Sequence, residues 1–153
     1  MIQNSIIYNI KTASAKEIYS HLLKCNDSFI PPLSETINIE EYSNKLFEKS
    51  ILFEAWDNNI LVGCIAAYFN DTFTHNGFIT NVSVINEYAG NGIATALLKM
   101  CIEYAKNNNI HMILLEVNRN NSSAIFLYEK FGFLCINTKV DILTMNLKIN
   151  NNK

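Results

Sequence analysis

From Phe78 to Ala105 the chain passes from an apolar, strand-like run into a glycine turn, and from there into an amphipathic helix. The strand is Phe78–Ile85. The turn is Glu87-Tyr-Ala-Gly90-Asn-Gly92-Ile-Ala94-Thr95, with two of the chain's five glycines. Ile93, Leu97, Leu98, Cys101, Ile102 and Ala105 then recur at the spacing of a helix about four turns long. A strand passed directly to such a helix belongs to a sheet with helices on it. Small residues in the turn let backbone amides face an anion at the helix start, where the dipole also favours negative charge. The turn is therefore either a phosphate or pyrophosphate cradle or a strand-to-helix connection without a ligand. A P-loop would end in Gly-Lys-Ser/Thr, and this turn has no lysine.

The flanking segments extend the pattern in both directions. Ser5–Lys11 reads as a first strand, and Ser14-Ala-Lys-Glu17 as a capping box opening a helix with Ile18, Leu22 and Leu23 on one face. Pro31-Pro32 breaks the chain into a loop. Asn38 to Glu41 starts a second helix. Ile51–Trp56 and Ile60–Phe69 are two strands joined at Asp57-Asn58-Asn59, a hairpin turn by composition. After the long helix, Met112–Val117 is a strand and Ser122–Phe131 a short helix. Phe133–Ile136 and Ile142–Leu147 are the final strands. The fold class is α/β, a mixed sheet in the order β-α-α-β-β-β-α-β-α-β-β. Residues 1–148 form one domain, and Ile149–Lys153 a frayed tail.

Composition narrows the function. The 153 residues are 49% hydrophobic and 17% charged, enough to bury one full core. Twelve basic residues against fourteen acidic ones leave a net charge of −2, and Arg119 is the single arginine. Nucleic-acid binding is not expected from such a surface. Cys25, Cys64, Cys101 and Cys135 are dispersed, as are His21, His75 and His111, so neither a zinc site nor a redox pair is expected. With no apolar run of membrane-spanning length and no leader pattern, the expectation is a cytoplasmic protein with no membrane partner.

A second cluster lies about thirty residues beyond the turn. Leu115-Glu116-Val117 ends a strand, and Asn121, Ala124, Leu127, Tyr128, Gly132 and Phe133 follow. With these residues in place, the sequence resembles the GNAT superfamily of acyl-CoA-dependent N-acetyltransferases. The family's pyrophosphate-turn pattern, Arg/Gln-x-x-Gly-x-Gly/Ala, is matched at Gly92 and Ala94. Its Asn-x-x-Ala-x-x-Leu-Tyr-x-x-x-Gly-Phe pattern is matched from Asn121 to Phe133. The resemblance is specific over about residues 78–133 and implies a GNAT-like fold for the whole chain. One position departs from it, since Ala89 stands where the family has Arg or Gln.

The resemblance implies acetyl-CoA as co-substrate, with no metal. Val82, Ser83 and Val84 would bond the pantetheine arm through their backbone. Gly90, Asn91, Gly92, Ile93, Ala94 and Thr95 would hold the pyrophosphate, and Asn121 the arm near its thiol end. Tyr128 matches the family tyrosine that protonates the departing thiolate; by its residues alone it could equally be an aromatic packed beside Phe126 and Phe131. Glu116 is a carboxylate in an otherwise apolar strand, a costly place unless solvated or used. It precedes Tyr128 by twelve residues, as does the proposed base in acetyltransferases acting on the alanine N-terminus of a ribosomal protein, which this stretch looks like. A water chain is the other way to accept the amine proton.

Substrate walls fall where nothing specific is matched. Phe29 and Pro31 lie in the loop between the first two helices, which in this family commonly borders the acceptor groove. Tyr68, Asp71 and His75 are expected opposite. The acceptor would be a primary amine of a small molecule, an amino sugar or a peptide N-terminus, attacking directly in a ternary complex. The other function class is a non-catalytic acyl-CoA-binding regulatory domain, and a homodimer is compatible with either.

Overall fold

Helices start where short polar side chains can bond their first free amides. In the computed structural model, which describes residues 5–149, Ser14 caps α1 (Ala15–Cys25) reciprocally. The Glu17 amide donates to the Ser14 hydroxyl at 3.1 Å, and the Ser14 amide to the Glu17 carboxylate at 2.9 Å. Asn38 caps α2 (Ile39–Lys49) by accepting from the Glu41 amide at 2.9 Å. Between them Pro31 and Pro32 hold a loop of two short 3₁₀ turns. β2 (Ile51–Asp57) and β3 (Ile60–Tyr68) meet at Asn58 and Asn59, both with positive φ, the backbone a two-residue hairpin of type I′ requires.

β1 (Ile7–Ile10) is shorter than the Ser5–Lys11 expected, because Lys11 takes a positive φ of 57° and turns the chain away. The turn is tied to the sheet by Glu54 of β2, which is fully buried. It accepts from the Thr12 amide (2.7 Å), the Thr12 hydroxyl (2.5 Å), the Ala13 amide (2.9 Å) and the Trp56 indole (3.0 Å). Four donors on one carboxylate offset its desolvation.

The remaining elements are β4 (Asn76–Val84), α3 (Ile93–Asn107), β5 (Met112–Asn118), α4 (Ser122–Lys130), β6 (Leu134–Lys139) and β7 (Ile142–Lys148). They complete a seven-stranded sheet in the order β1-β2-β3-β4-β5-β7-β6. β4–β5 is its parallel pair, with α3 as the crossover. β6 runs three residues beyond the expected Ile136. An edge strand exposed on both faces needs no apolar alternation to mark its end. Ile149, expected in the tail, is buried, and its amide donates to the His111 carbonyl at 2.9 Å. Positions 150–153 of that tail lie outside the described residues.

Two apolar clusters cover the two faces of the sheet. One joins Phe53, Val62, Ile65, Ile79, Ile113, Leu115 and Val117 to Leu97, Leu98 and Cys101 of α3. The other joins Leu52, Leu61, Cys64 and Ala66 to Ile18, Leu22 and Leu46 of α1 and α2.

One irregularity positions everything that follows. The β3–β4 register steps from Ala66↔Asn81 to Ala67↔Ile79, so Thr80 has no opposite residue and β4 bulges there. β4 and β5 pair from Asn76↔Met112 only as far as Ile79↔Leu115. Beyond that, β4 stays with β3 and β5 stays with β7, so the sheet opens into a wedge.

His21 of α1 fastens this region from below. It is 1% exposed, with Nδ1 2.9 Å from the Leu61 carbonyl and Nε2 2.9 Å from the Ser83 hydroxyl. A carbonyl only accepts, so Nδ1 carries the proton. Burial, opposed by the Leu61 hydrogen bond, lowers its pKa to about 4. The unfolded chain binds this proton near pH 6.5 and the folded chain only near 4. His21 therefore contributes stability that is complete above about pH 6.5 and drains away as pH falls toward 4. The folded–unfolded difference corresponds to about 3 kcal/mol. Urea titrations of wild type and His21→Gln between pH 7 and 4 should show the wild type losing that much more stability. Parallel curves would refute the assignment.

Candidate active site

The wedge is one wall of a cleft of about 390 Å³. Its floor is the unpaired edge of β4. The Ile85 amide bonds the Val62 carbonyl at 2.8 Å, so by antiparallel alternation Ser83 is the next residue bonded to β3. The amides and carbonyls of Val82 and Val84 consequently face the gap left by β5. The backbone of Ser83 does not; its side chain lies on the α1 side, 2.9 Å from both His21 and Asn81.

The start of α3 forms the second wall. Gly90 (φ 78°) and Gly92 (φ 79°) both adopt the left-handed conformation that β-carbon-bearing residues avoid, with open space where a β-carbon would sit. Gly92 occupies the N-cap and supplies no side-chain cap, so the first amides of α3 lack that partner. Gly92, Ile93, Ala94 and Thr95 all line the cleft. The helix start is seated deeply because β3 has Gly63 beneath it: a β-carbon there would come within 2.8 Å of Ile93 Cγ2.

Asn91 stands apart from its neighbours. Its amide donates to the Tyr88 and Ala89 carbonyls at 3.2 and 3.0 Å, which closes the turn rather than facing the cleft. Tyr88 lines the cleft and anchors the turn to the end of β2 through its hydroxyl, 2.5 Å from the Asp57 carboxylate. Ala89 also lines the cleft and brings no charge.

α4 closes the third side. Asn121 caps it, its Oδ1 accepting from the Ala124 amide at 3.3 Å, and Asn121, Ala124, Leu127 and Tyr128 share one helix face on the cleft. Tyr128 is 5% exposed, with its ring 5.8 Å from that of Phe133. Among the described residues its hydroxyl has no hydrogen-bond partner. Burial drives its pKa well above the ordinary tyrosine value, so it stays protonated throughout the neutral range.

Glu116 lies outside the cleft walls. It is exposed, and it alternates with Leu115 and Val117, which are buried on the α3 face, so it occupies the opposite face of β5. It is also the first residue of β5 past the last β4 pair, and its pairing is with Thr144 of β7. The burial cost anticipated for this carboxylate does not arise.

The other expected walls divide. Phe29 lines the cleft and packs against both apolar clusters. Pro31, after a cis peptide bond, and Tyr68 are not among the lining residues. Tyr68 sits at the end of β3 with the Lys45 ammonium 5.4 Å from its ring and a buried hydroxyl that has no hydrogen-bond partner among the described residues. Asp71 and His75 are not opposite Phe29. They lie in the β3–β4 connection, at the end of the sheet where β4 begins, and the wedge opens where β4 ends, roughly 20 Å away. Ser28, in the same loop as Phe29, also lines the cleft, and so does Cys25, which carried no local signal. Among the described residues no group of three metal-ligating side chains occurs, and no helix is long and apolar enough to cross a membrane.

Replacing Gly92 tests the cradle. Valine at φ 79° strains the turn and places a branched side chain where the first α3 amides open. At CoA about a hundred times its dissociation constant, wild type should gain about 2.7 kcal/mol. Gly92→Val should lose most of that gain, read as the CoA-induced shift in melting temperature rather than the melting temperature itself. An undiminished shift would place the phosphates elsewhere.

Known proteins give the same outline. Residues 15–133 match the family described as Acetyltransferase (GNAT) family. The chain is 32% identical over 83 residues to N-alpha-acetyltransferase 30 of Schizosaccharomyces pombe, covering 53% of this chain and 55% of that protein. It spans about half the length of this and another curated relative. Among solved structures, the ribosomal-protein-S18-alanine N-acetyltransferase of Escherichia coli superposes with a TM-score of 0.74, at 19% identity over 94% of each chain. The PaiA N-acetyltransferase of Thermoplasma acidophilum in complex with coenzyme A gives 0.73, at 19% identity over 93% of this chain and 99% of that one. At such identities these two likenesses establish the fold.

Proposed function

Since the chain belongs to the acetyltransferase (GNAT) family, we propose that it moves the acetyl group of acetyl-CoA to a primary amine by direct attack in a ternary complex. The observation that carries this reading is one cleft that joins an uncapped helix start, a free strand edge and the hydroxyl of the buried Tyr128, which has no hydrogen-bond partner among the described residues. The α3 amides hold the pyrophosphate. The exposed polar groups of Val82 and Val84 bond the pantetheine arm, and the Asn121 side chain holds it near the sulfur. An amide of the β4 edge polarises the thioester carbonyl.

The amine nitrogen bonds to the carbonyl carbon, and the carbon–sulfur bond breaks. At pH 7 a small-molecule amine of pKa about 10.4 is neutral in about one molecule in 2,500, and a peptide α-amino group of pKa about 8 in about one in ten, so the proton needs an acceptor in either case. Glu116 supplies one, because the gap between β4 and β5 joins its face of the sheet to the cleft. Tyr128 gives its proton to the departing sulfur.

Among acceptors, the α-amino group of a peptide is favoured over an amino sugar or a small amine, because relatives carry the name N-alpha-acetyltransferase. Ala89 is the observation behind a second reading, a regulatory domain that binds acyl-CoA without turnover. Thiol release from acetyl-CoA with a panel of peptides, amino sugars and small amines separates the two. Release with one class establishes the enzyme and its acceptor together. Stabilisation by CoA with no release from any amine favours the regulatory domain.

A further inference from the structure

The β4 bulge is gripped from the far side of the sheet. Thr80 is the extra residue, and a one-residue slip there would exchange which β4 amides bond β3 and which face the gap. With the bulge, Ile79, Val82 and Val84 belong to the α3 face, while Asn81 and Ser83 lie toward α1 and α2. Pairing to β5 stops at Ile79, immediately before the bulge.

At this point Tyr42 of α2 reaches in. Its hydroxyl donates to the Thr80 carbonyl at 3.0 Å, and the Thr80 and Tyr42 hydroxyl oxygens lie 2.8 Å apart. The Thr80 hydroxyl can thus return a bond to the tyrosine oxygen that holds its own carbonyl. Tyr42 packs within the α1/α2 cluster, and burial raises its pKa to about 12, so it remains a donor at every pH near neutrality. It is not among the residues that line the cleft.

We propose that Tyr42 is a positioning residue for acetyl transfer: its hydroxyl locks the Thr80 bulge, and with it the register that turns the Val82 and Val84 backbone toward the thioester arm. The inference rests on reading the cleft as the acetyl-CoA site. It separates two parts of that ligand, since the arm depends on β4 whereas the pyrophosphate depends on the α3 start.

The test measures binding of CoA and of 3′-phosphoadenosine 5′-diphosphate, which keeps the pyrophosphate and lacks the arm. In Tyr42→Phe, CoA should bind roughly five- to tenfold more weakly, the effect of one lost hydrogen bond. The armless ligand should bind as in wild type, and amide exchange should quicken at Asn81 and Ser83, whose backbone bonds β3. Thr80→Val keeps the carbonyl that Tyr42 holds and loses only the returning hydroxyl bond, so it should show a smaller CoA defect of the same kind, and Thr80→Ser should keep wild-type affinity. If Tyr42→Phe does not fold, Thr80→Val read against Thr80→Ser makes the two-ligand comparison on the returning bond alone. Unchanged CoA affinity, or an equal loss for both ligands, overturns the inference. Failure of wild type to bind CoA would instead overturn the cofactor reading. Amide exchange then still decides on the lock, and unchanged protection at Asn81 and Ser83 in Tyr42→Phe refutes it.

Discussion

Glu116→Gln is expected to lower turnover at pH 7 by about 10²- to 10⁴-fold, the range for loss of a general base. Glutamine keeps the shape of the side chain and cannot take a proton. Glu116 is exposed on β5, so its replacement should leave the melting temperature where it was. The defect should shrink as pH rises toward the amine's pKa, because a growing share of acceptor arrives already neutral. CoA affinity should not change, since the carboxylate is not among the cleft walls. The measurement is a pH–rate profile for both proteins with the same acceptor. A variant with wild-type rate and profile would pass the role to water.

Tyr128→Phe removes one oxygen and should cost about 10²-fold or more in the chemical step. The ring contact with Phe133 survives the change, and the hydroxyl has no hydrogen bond to lose among the described residues, so stability should hardly move. CoA should bind nearly as before, because the proposed site draws its affinity from the turn and the β4 edge. Three readings on one variant decide the matter: turnover, CoA dissociation constant and melting temperature. A large fall in the first with the other two intact supports proton donation. Near-normal turnover would show that the thiolate leaves unaided, with Tyr128 a packing residue. A collapse in stability would mean that the hydroxyl had a buried structural partner.

Local chemistry was legible in the sequence. Ser14 with Glu17, Asn38 with Glu41 and the 93–105 periodicity each involve residues within a turn or two of one another, and each reappears in the structure as read. So does the α4 face from Asn121 to Tyr128. The bulge at Thr80 was not legible, because it is a relation between β3 and β4 that neither strand's alternation announces. Cys25 joins the cleft through packing of α1 on the sheet, a contact about sixty residues distant in sequence from the glycine turn. Asp71 and His75 were misplaced for want of direction. Two consecutive antiparallel strands put the loop that joins them at the opposite end from the turn that leaves the second, and residue chemistry does not show this. The strand context of Glu116 raised the cost of burial, and only the wedge revealed that its face is solvated.

The two apolar clusters sit back to back across the sheet, and Phe29 packs against both. Substitutions within one have few neighbours in the other, so their effects on stability should add rather than compound. For a lineage this is latitude. Under the proposed function, the α1–α2 layer can be rebuilt around a new acceptor while the α3–α4 layer keeps its nucleotide site. The separation has two exceptions, His21 against Ser83 and Tyr42 against Thr80, where the α1–α2 layer grips the strand on which the proposed site depends. Diversification of acceptor specificity on this scaffold is thus expected to spare those two side chains first.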